Sequence, residues 1–476
     1  MKIVFIIKKL SISDPMGIMY LSASLKKAGH ETDLICFAKE NLFERLRELK
    51  PDVVAYSITT GMHQELISIN KEIKKRLKIY SVFGGPHPTF YPEMIKEEGV
   101  DAICIGEGEE AFVEFINKLS SGKRVDNVKN FWVKNFKTGK IIKNPPRKLI
   151  ENLDSLPFAD RELIYKKDSF FKELEIKRFM TGRGCPFRCT YCFNRQYNAL
   201  YRNKGKIVRH RSVDNVIKEI EEIRNKYPFG SIKFIDDTFN INPGWLKEFC
   251  EKYKEKINLP FICNIRADLV TSEMAHQLKN ANCIVVYIGI ETGNEKVRKE
   301  ILERNMSNEQ ILNACKLLRK NRIKIVSQNM LGLPGEGIEK SFETILFNSK
   351  CKVNFPGFSI FQPYPDTALT DYAIKNGFFD GNFDNSNPDY LRKSPLNLGK
   401  MEKRQLENLN KFSSLLARFA ILTPLVRFLI KFPENKAYNL VYSLSYGMSL
   451  WNVYSAAFGS NLKLIKSAKR LLEYTF

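Results

Sequence analysis

Two hydrophobic rhythms alternate along the first third of the chain. Short runs rich in β-branched residues, at 3–7, 33–37, 53–58, 80–83 and 102–105, predict strands. Segments such as 18–28 and 65–77 place apolar residues three or four apart, with Lys and Glu between them, and predict helices. Strands separated by helices need crossover connections, so residues 1–145 are expected to form an α/β, doubly wound parallel sheet of Rossmann-like type, with a hairpin over 131–142 at its end. Asn144-Pro145-Pro146 breaks the pattern, and 146–175 is expected as a linker.

A second βα series occupies 176–375. Strands are expected near 177–181, 231–235, 261–265, 284–290, 323–330 and 357–362, with helices at 213–226, 243–256, 272–279, 295–301, 308–320 and 339–348. Six such units suit a partial or full barrel, whose chemistry sits at the carboxyl ends of its strands. The rhythm stops after about 375, and 376–476 reads as mostly helical. Residues 437–462 carry no charge, but their Ser, Tyr and Asn residues argue for a core helix covering the barrel rather than a spanning one. The minority reading is an interfacial surface for lipid or an apolar substrate, helped by Arg418, Arg427 and Lys431.

Charge and cysteine content sharpen this picture. The 76 Lys and Arg against 53 Asp and Glu leave a net +23, which favours anionic partners without choosing among them. The first apolar run is only five residues and no long spanning stretch is visible, so a cytoplasmic protein is expected. Of ten cysteines three cluster, Cys185, Cys189 and Cys192, spaced C-x3-C-x2-C on the loop after the first strand of the second series. Iron–sulfur cubanes normally take four thiolates. With no fourth cysteine nearby, one iron is left open to bind a small molecule and pass it an electron. Zinc needs four ligands in tetrahedral array, and the nearest extra candidate, His210, is eighteen residues on. A disulfide is disfavoured by the odd count and by a reducing compartment.

The segment 181–194, TGRGCPFRCTYCFN, resembles the radical S-adenosylmethionine enzymes, and the resemblance covers about 180–370. It implies that Cys185, Cys189 and Cys192 bind a 4Fe-4S cluster whose open iron chelates S-adenosylmethionine, with Tyr191 near the adenine. Further family positions fall at strand ends. Asp236 and Asp237 stand where the family usually has Gly-Gly-Glu, and one of them is expected to meet the methionine ammonium. Arg266 offers a fixed cation to a carboxylate, Glu291 the ribose or amino-acid contact, and backbone at Gly332 the adenine contact.

The first domain, with Gly84-Gly85-Pro86-His87-Pro88 and Gly106-Glu107-Gly108-Glu109 directly after strands, looks like the cobalamin-binding branch of the same superfamily. That branch includes cobalamin-dependent methylases and the anaerobic magnesium-protoporphyrin monomethyl ester cyclase group. The resemblance implies that the nucleotide tail of cobalamin inserts beside Gly84 and Gly85, near Gly17, Ser57 and Thr59, with His87, Gly106 and Glu107 close by. The Asp-x-His-x-x-Gly signature of cobalt-ligating proteins is absent, so His87 is expected to cap or hydrogen-bond rather than ligate cobalt. Together these imply an enzyme with a 4Fe-4S cluster, S-adenosylmethionine and cobalamin that methylates an unactivated carbon of a small-molecule or lipid-like substrate. It would draw electrons from a flavodoxin- or ferredoxin-type donor, with a peripheral membrane contact open to its C-terminal region and nucleic acid disfavoured. The alternatives are a radical cyclase or rearrangement enzyme of the same branch, and an iron–sulfur sensing or nucleic-acid-binding protein.

Overall fold

The computed structural model describes residues 1–10, 14–135, 138–383 and 393–457. The described residues divide into two compact units, Met1–Glu173 with Gln196–Arg209, and Leu174–Arg195 with His210–Ala457. In the first unit, five parallel strands lie in the order Glu31–Cys36, Lys2–Ile7, Val53–Ser57, Tyr80–Gly84 and Ala102–Cys104. Antiparallel Phe131–Lys134 and Ile141–Lys143 extend the sheet, as the expected hairpin requires, with 136–137 outside the described residues. The chain passes from the Lys2–Ile7 strand to one side and then crosses to Val53–Ser57 on the other. That reversal is a topological switch point, where an open α/β sheet leaves a crevice at its carboxyl edge. Central strands are apolar on both faces because helices cover both, and Ile3, Val4, Ile6, Val53 and Val54 are wholly buried.

Of the expected linker 146–175, residues 146–173 lie within the first unit and carry short helices at Glu162–Tyr165 and Ser169–Glu173. Leu149, Leu153, Ile164 and Phe171 are buried there. Asn144-Pro145-Pro146 ends the hairpin, but the apolar residues beyond it still need cover, so the segment packs instead of spanning.

The second unit holds six parallel strands in chain order: Ile176–Phe179, Ser231–Phe234, Phe261–Ile265, Cys283–Glu291, Lys324–Leu331 and Phe355–Ile360. This is the open, partial barrel expected from six βα units. Strand alternation sorts the side chains. Phe179, Phe234, Cys263, Ile288 and Ile325 face the outer helices, while Ile262, Val285, Val326 and Phe355 face inward. The expected helix at 295–301 is present, widening into a broader turn over Val297–Ile301. Helix Lys400–Arg418 buries Leu406, Leu409, Phe412 and Leu416 against Phe342, Ile345 and Phe358. Helix Lys436–Tyr454 lays only one edge, with Tyr446, Leu450 and Val453, on the inward-facing strand residues, so it covers the barrel with part of its surface. The remainder of the uncharged run, 458–462, lies outside the described residues.

Candidate functional site

The cysteine loop leaves the end of the first barrel strand and is pinned at several points. Gly184 takes φ +88°, a conformation open to glycine. The Thr190 N–H donates to Leu302 O (3.0 Å) and its hydroxyl to Ile301 O (2.7 Å), while Leu369 N–H donates back to Thr190 O (3.0 Å). Each of the three sulfurs has its own polar neighbour. Thr238 Oγ1 lies 3.7 Å from Cys185 Sγ, Arg304 Nη1 lies 3.8 Å from Cys189 Sγ, and Asn194 Nδ2 lies 3.6 Å from Cys192 Sγ. Burial pushes the Cys192 thiol up to about 11 and raises that of Cys185, so thiolates here require a positive partner such as a metal. Among the described residues no three Cys, His, Asp or Glu side chains converge as around a single ion. A four-iron cubane asks for something different, one thiolate at each of three separate irons, and hydrogen bonds to sulfur then tune its potential.

The structure separates the two aspartates. Asp236 is buried and accepts hydrogen bonds from Thr181 N (3.0 Å) and Thr181 Oγ1 (2.8 Å), so its carboxylate braces the start of the cysteine loop. Burial lifts it to about 6 against those bonds. Asp237 stands exposed beside the cysteines, and the Asn194 amide donates to its carboxylate. Asp237 is therefore the carboxylate left for an incoming cation. Arg266 is not left free for a ligand carboxylate, because Nε and Nη2 form a fork on Asp268 (2.9 and 3.0 Å) and its guanidinium stacks 3.4 Å over the Phe187 ring of the cysteine loop.

Tyr191 and Glu291 come together around a residue that sequence reasoning missed. Arg304 is buried, with Nη1 3.4 Å from the Tyr191 hydroxyl and Nη2 donating to Gly289 O (2.7 Å). Burial raises the Glu291 carboxyl, countered first by Arg304. Pairing between neighbouring strands slips between Gly289 and Glu291, and Glu291 takes φ +69°. The irregularity re-aims this side chain at the strand end, as bulges do beside functional sites. The Nε of Arg304 is buried with no partner among the described residues, an unspent donor suited to an anion. Its only sequence signal is a basic residue thirteen positions after Glu291, with no local pattern; Asn194 closes the 181–194 segment and Thr238 directly follows Asp237, but neither stands out by residue type.

Gly332 directly follows strand Lys324–Leu331, the strand end expected for it. Its N–H donates to Glu336 Oε2 (3.0 Å), and a Cβ built on it would stand 2.3 Å from Leu406 Cδ2. The glycine thus admits Leu406, and Glu336, also accepting from Leu333 N (3.2 Å), Thr292 and Ser341, ties the loop together.

In the first unit, Ser57 and Gly84 end strands at the carboxyl edge, Thr59 and Gly85 follow them, and Gly17 lies in the first turn of helix Met16–Lys27, with Gly17, Ser57 and Thr59 beside the switch point. Open space surrounds the missing Cβ of Gly17. Gly85, at φ +96°, would bring a Cβ within 2.9 Å of Ile58 backbone, so its bareness lets the two loops abut. His87 is buried, stacked on His63 (4.1 Å between centroids), with Nδ1 2.9 Å from Thr60 Oγ1. It braces the loop, in keeping with the expected hydrogen-bonding role. Gly106 and Glu107 face other work. A Cβ on Gly106 would overlap the Tyr201 hydroxyl, and Glu107 forms a buried fork with Arg209 (2.8 and 3.0 Å) and accepts from Ile150 N (3.1 Å).

Comparison with known proteins agrees with this geometry. Residues 179–347 match the Radical SAM superfamily and residues 3–116 the B12 binding domain. The chain is 30% identical to an uncharacterized methyltransferase of Pyrococcus horikoshii over 376 residues, 76% of this chain and 79% of the relative. It is 26% identical to the anaerobic magnesium-protoporphyrin IX monomethyl ester cyclase of Rubrivivax gelatinosus, over 84% of this chain and 73% of the cyclase. Its fold is similar to that of the cobalamin-dependent S-adenosylmethionine radical enzyme OxsB, solved with aqua-cobalamin and S-adenosylmethionine bound. That likeness has a TM-score of 0.69 at 15% identity and covers 100% of this chain and 75% of the other.

Proposed function

The chain belongs to the radical S-adenosylmethionine superfamily, in the branch that carries a B12-binding domain, and from that membership we propose that it methylates an unactivated carbon of a small-molecule or lipid-like substrate. It is an enzyme whose cofactors are a 4Fe-4S cluster, S-adenosylmethionine and cobalamin. The observation that carries the proposal is the cysteine loop, with a separate donor at each of three sulfurs, on a chain that also holds a switch-point crevice in a B12-binding fold. When bound, the cluster supplies the electron that splits S-adenosylmethionine to a hydrogen-abstracting carbon radical, and cobalamin supplies the methyl group for a carbon that polar methylation cannot reach.

The chain's own residues hold and orient these groups. Cys185, Cys189 and Cys192 are the cluster ligands. Asp237 receives the methionine ammonium and the free edge of Arg304 the carboxylate, while Tyr191 and Glu291 flank the nucleoside. Gly17, Ser57, Thr59, Gly84 and Gly85 bound the space for the cobalamin tail. Methyl transfer is favoured over cyclisation because the relative named a methyltransferase is 30% identical and the one named a cyclase 26%. The proposal includes a reductant of flavodoxin or ferredoxin type, a cytoplasmic location, and a peripheral membrane contact through the C-terminal region. No helix among the described residues is long and apolar enough to cross a membrane.

Anaerobic reconstitution tests the reading. Wild type should show cluster absorbance, release deoxyadenosine and retain near-stoichiometric cobalamin, and Cys189→Ala should lose the first two. Cleavage retained by Cys189→Ala overturns the ligand assignment, and a folded protein that holds no corrinoid overturns methyl transfer. A product heavier by one methylene unit supports methylation, whereas unchanged mass moves the reaction to rearrangement.

A further inference from the structure

Of the fourteen large hydrophobic side chains exposed among the described residues, nine fall between 419 and 451. They form two stripes at helical spacing. Ile421, Leu425, Phe428 and Phe432 recur at i, i+4, i+7 and i+11 through the short helix Thr423–Leu429 and its flanks. Leu440, Leu444, Met448 and Trp451 recur at i, i+4, i+8 and i+11 along helix Lys436–Tyr454. In each case the opposite face is already buried, through Val426 and Ile430 in one and Tyr446, Leu450 and Val453 in the other. Arg418, the last residue of helix Lys400–Arg418, lines a shallow groove together with Met448 and Trp451 of the second stripe. Exposure reaches 86% at Ile421, beyond what isolated surface apolar residues need.

Charge selects the occupant. Arg418, Lys431 and Lys436 are exposed beside the stripes, while Glu434, the one acidic residue between 419 and 457, is paired with Lys411 (2.7 Å). A second copy would bring the same basic rim, like against like. Residues 458–476 carry Lys463, Lys466, Lys469 and Arg470 against Glu473, so they too repel that rim rather than neutralise it. An anionic bilayer complements both features at once, apolar stripes for the acyl boundary and cations for the headgroups. We infer that Leu440, Leu444, Met448 and Trp451, with Ile421, Leu425 and Phe428, form a face that inserts shallowly into membranes containing anionic phospholipid, held by Arg418, Lys431 and Lys436.

This inference rests on the C-terminal part of the proposal above and on no step of its chemistry. The test uses the full-length reconstituted protein with phosphatidylcholine vesicles, with and without phosphatidylglycerol. Wild type should sediment with the phosphatidylglycerol vesicles, and Trp451 fluorescence should shift to the blue. Leu444→Asp with Met448→Asp should reduce partitioning at least about tenfold. Replacing Arg418, Lys431 and Lys436 by Ser should remove the preference for anionic lipid, roughly a hundredfold in partition. Both variants should keep the wild-type circular dichroism and deoxyadenosine release, because the substituted residues are solvent-facing; loss of release with intact lipid binding would implicate the chemistry instead. Absence of vesicle binding by wild type overturns the inference, as does binding that the Asp substitutions leave unchanged. A dimer dissolved by those substitutions, or vesicle binding acquired only on deletion of 458–476, assigns the face to another occupant.

Discussion

Adjacent carboxylates can do unrelated work when their surroundings differ. Asp236 is buried and spends its oxygens on Thr181, whereas Asp237 is exposed beside the cysteines with the Asn194 amide as its neighbour. Asp236→Asn cannot accept the same set of bonds without turning its amide group toward a donor. It should loosen the cysteine loop, lowering stability by about 1–3 kcal/mol and reducing cluster incorporation. Asp237→Asn should leave stability and cluster content near wild type while weakening S-adenosylmethionine binding by roughly 10- to 100-fold, the usual worth of a hydrogen bond to a charged group. Thermal unfolding, iron content and equilibrium binding separate the two. Equal behaviour of the variants would remove the division of labour. The pair was legible in the sequence as two acids at a strand end, but not which acid does what. That choice is made by Thr181, fifty-five residues away, and no local pattern encodes a partner at that distance.

Among elements, the loop from Gly332 to Glu336 illustrates how a backbone-rich segment is held by one buried acid. Glu336 accepts from Gly332 N, Leu333 N, Thr292 and Ser341, yet burial still lifts it to about 7 from an ordinary value of 4.5. The native state therefore binds more protons than the unfolded chain between those values. This group's contribution is full below pH 4.5 and is lost as pH rises through about 7. Glu336→Gln keeps an oxygen for the two backbone donors and offers its amide to Thr292. Its stability relative to wild type should rise by about 2–3 kcal/mol between pH 4.5 and pH 8, read from urea unfolding at each pH. A flat difference across that range would show that Glu336 is not lifted by burial. The same element marks the limit of sequence reading. Strands and the cysteine loop follow from local hydrophobic rhythm and spacing. The reason Gly332 is glycine lies in Leu406 on a helix seventy-four residues on, and the neighbours that use up Gly106 and Glu107, Tyr201 and Arg209, are about a hundred residues distant.

At the scale of the whole molecule, the two units carry separate hydrophobic cores, one around Val54, Phe83 and Ile103 and the other around Phe234, Phe249 and Ile288. Each candidate cofactor site is assembled within one unit, the switch-point crevice in the first and the cysteine loop with Arg304 in the second. A ligand that binds only folded protein stabilises whatever unfolds with its site, by an amount that grows with the logarithm of its concentration over Kd. Calorimetry should therefore resolve two transitions. Cobalamin at a hundredfold over its Kd should stabilise one of them by about 2.7 kcal/mol, and S-adenosylmethionine added to the cluster-loaded protein should stabilise the other by a similar amount at the same ratio. Removing the cluster with a chelator should lower the transition that responds to S-adenosylmethionine and leave the cobalamin-responsive one in place. The outcome depends on whether the units unfold independently, a property carried by their cores rather than by any motif. One transition shifted equally by both ligands would mean that the molecule unfolds as a single cooperative body, with its cofactor sites thermodynamically joined.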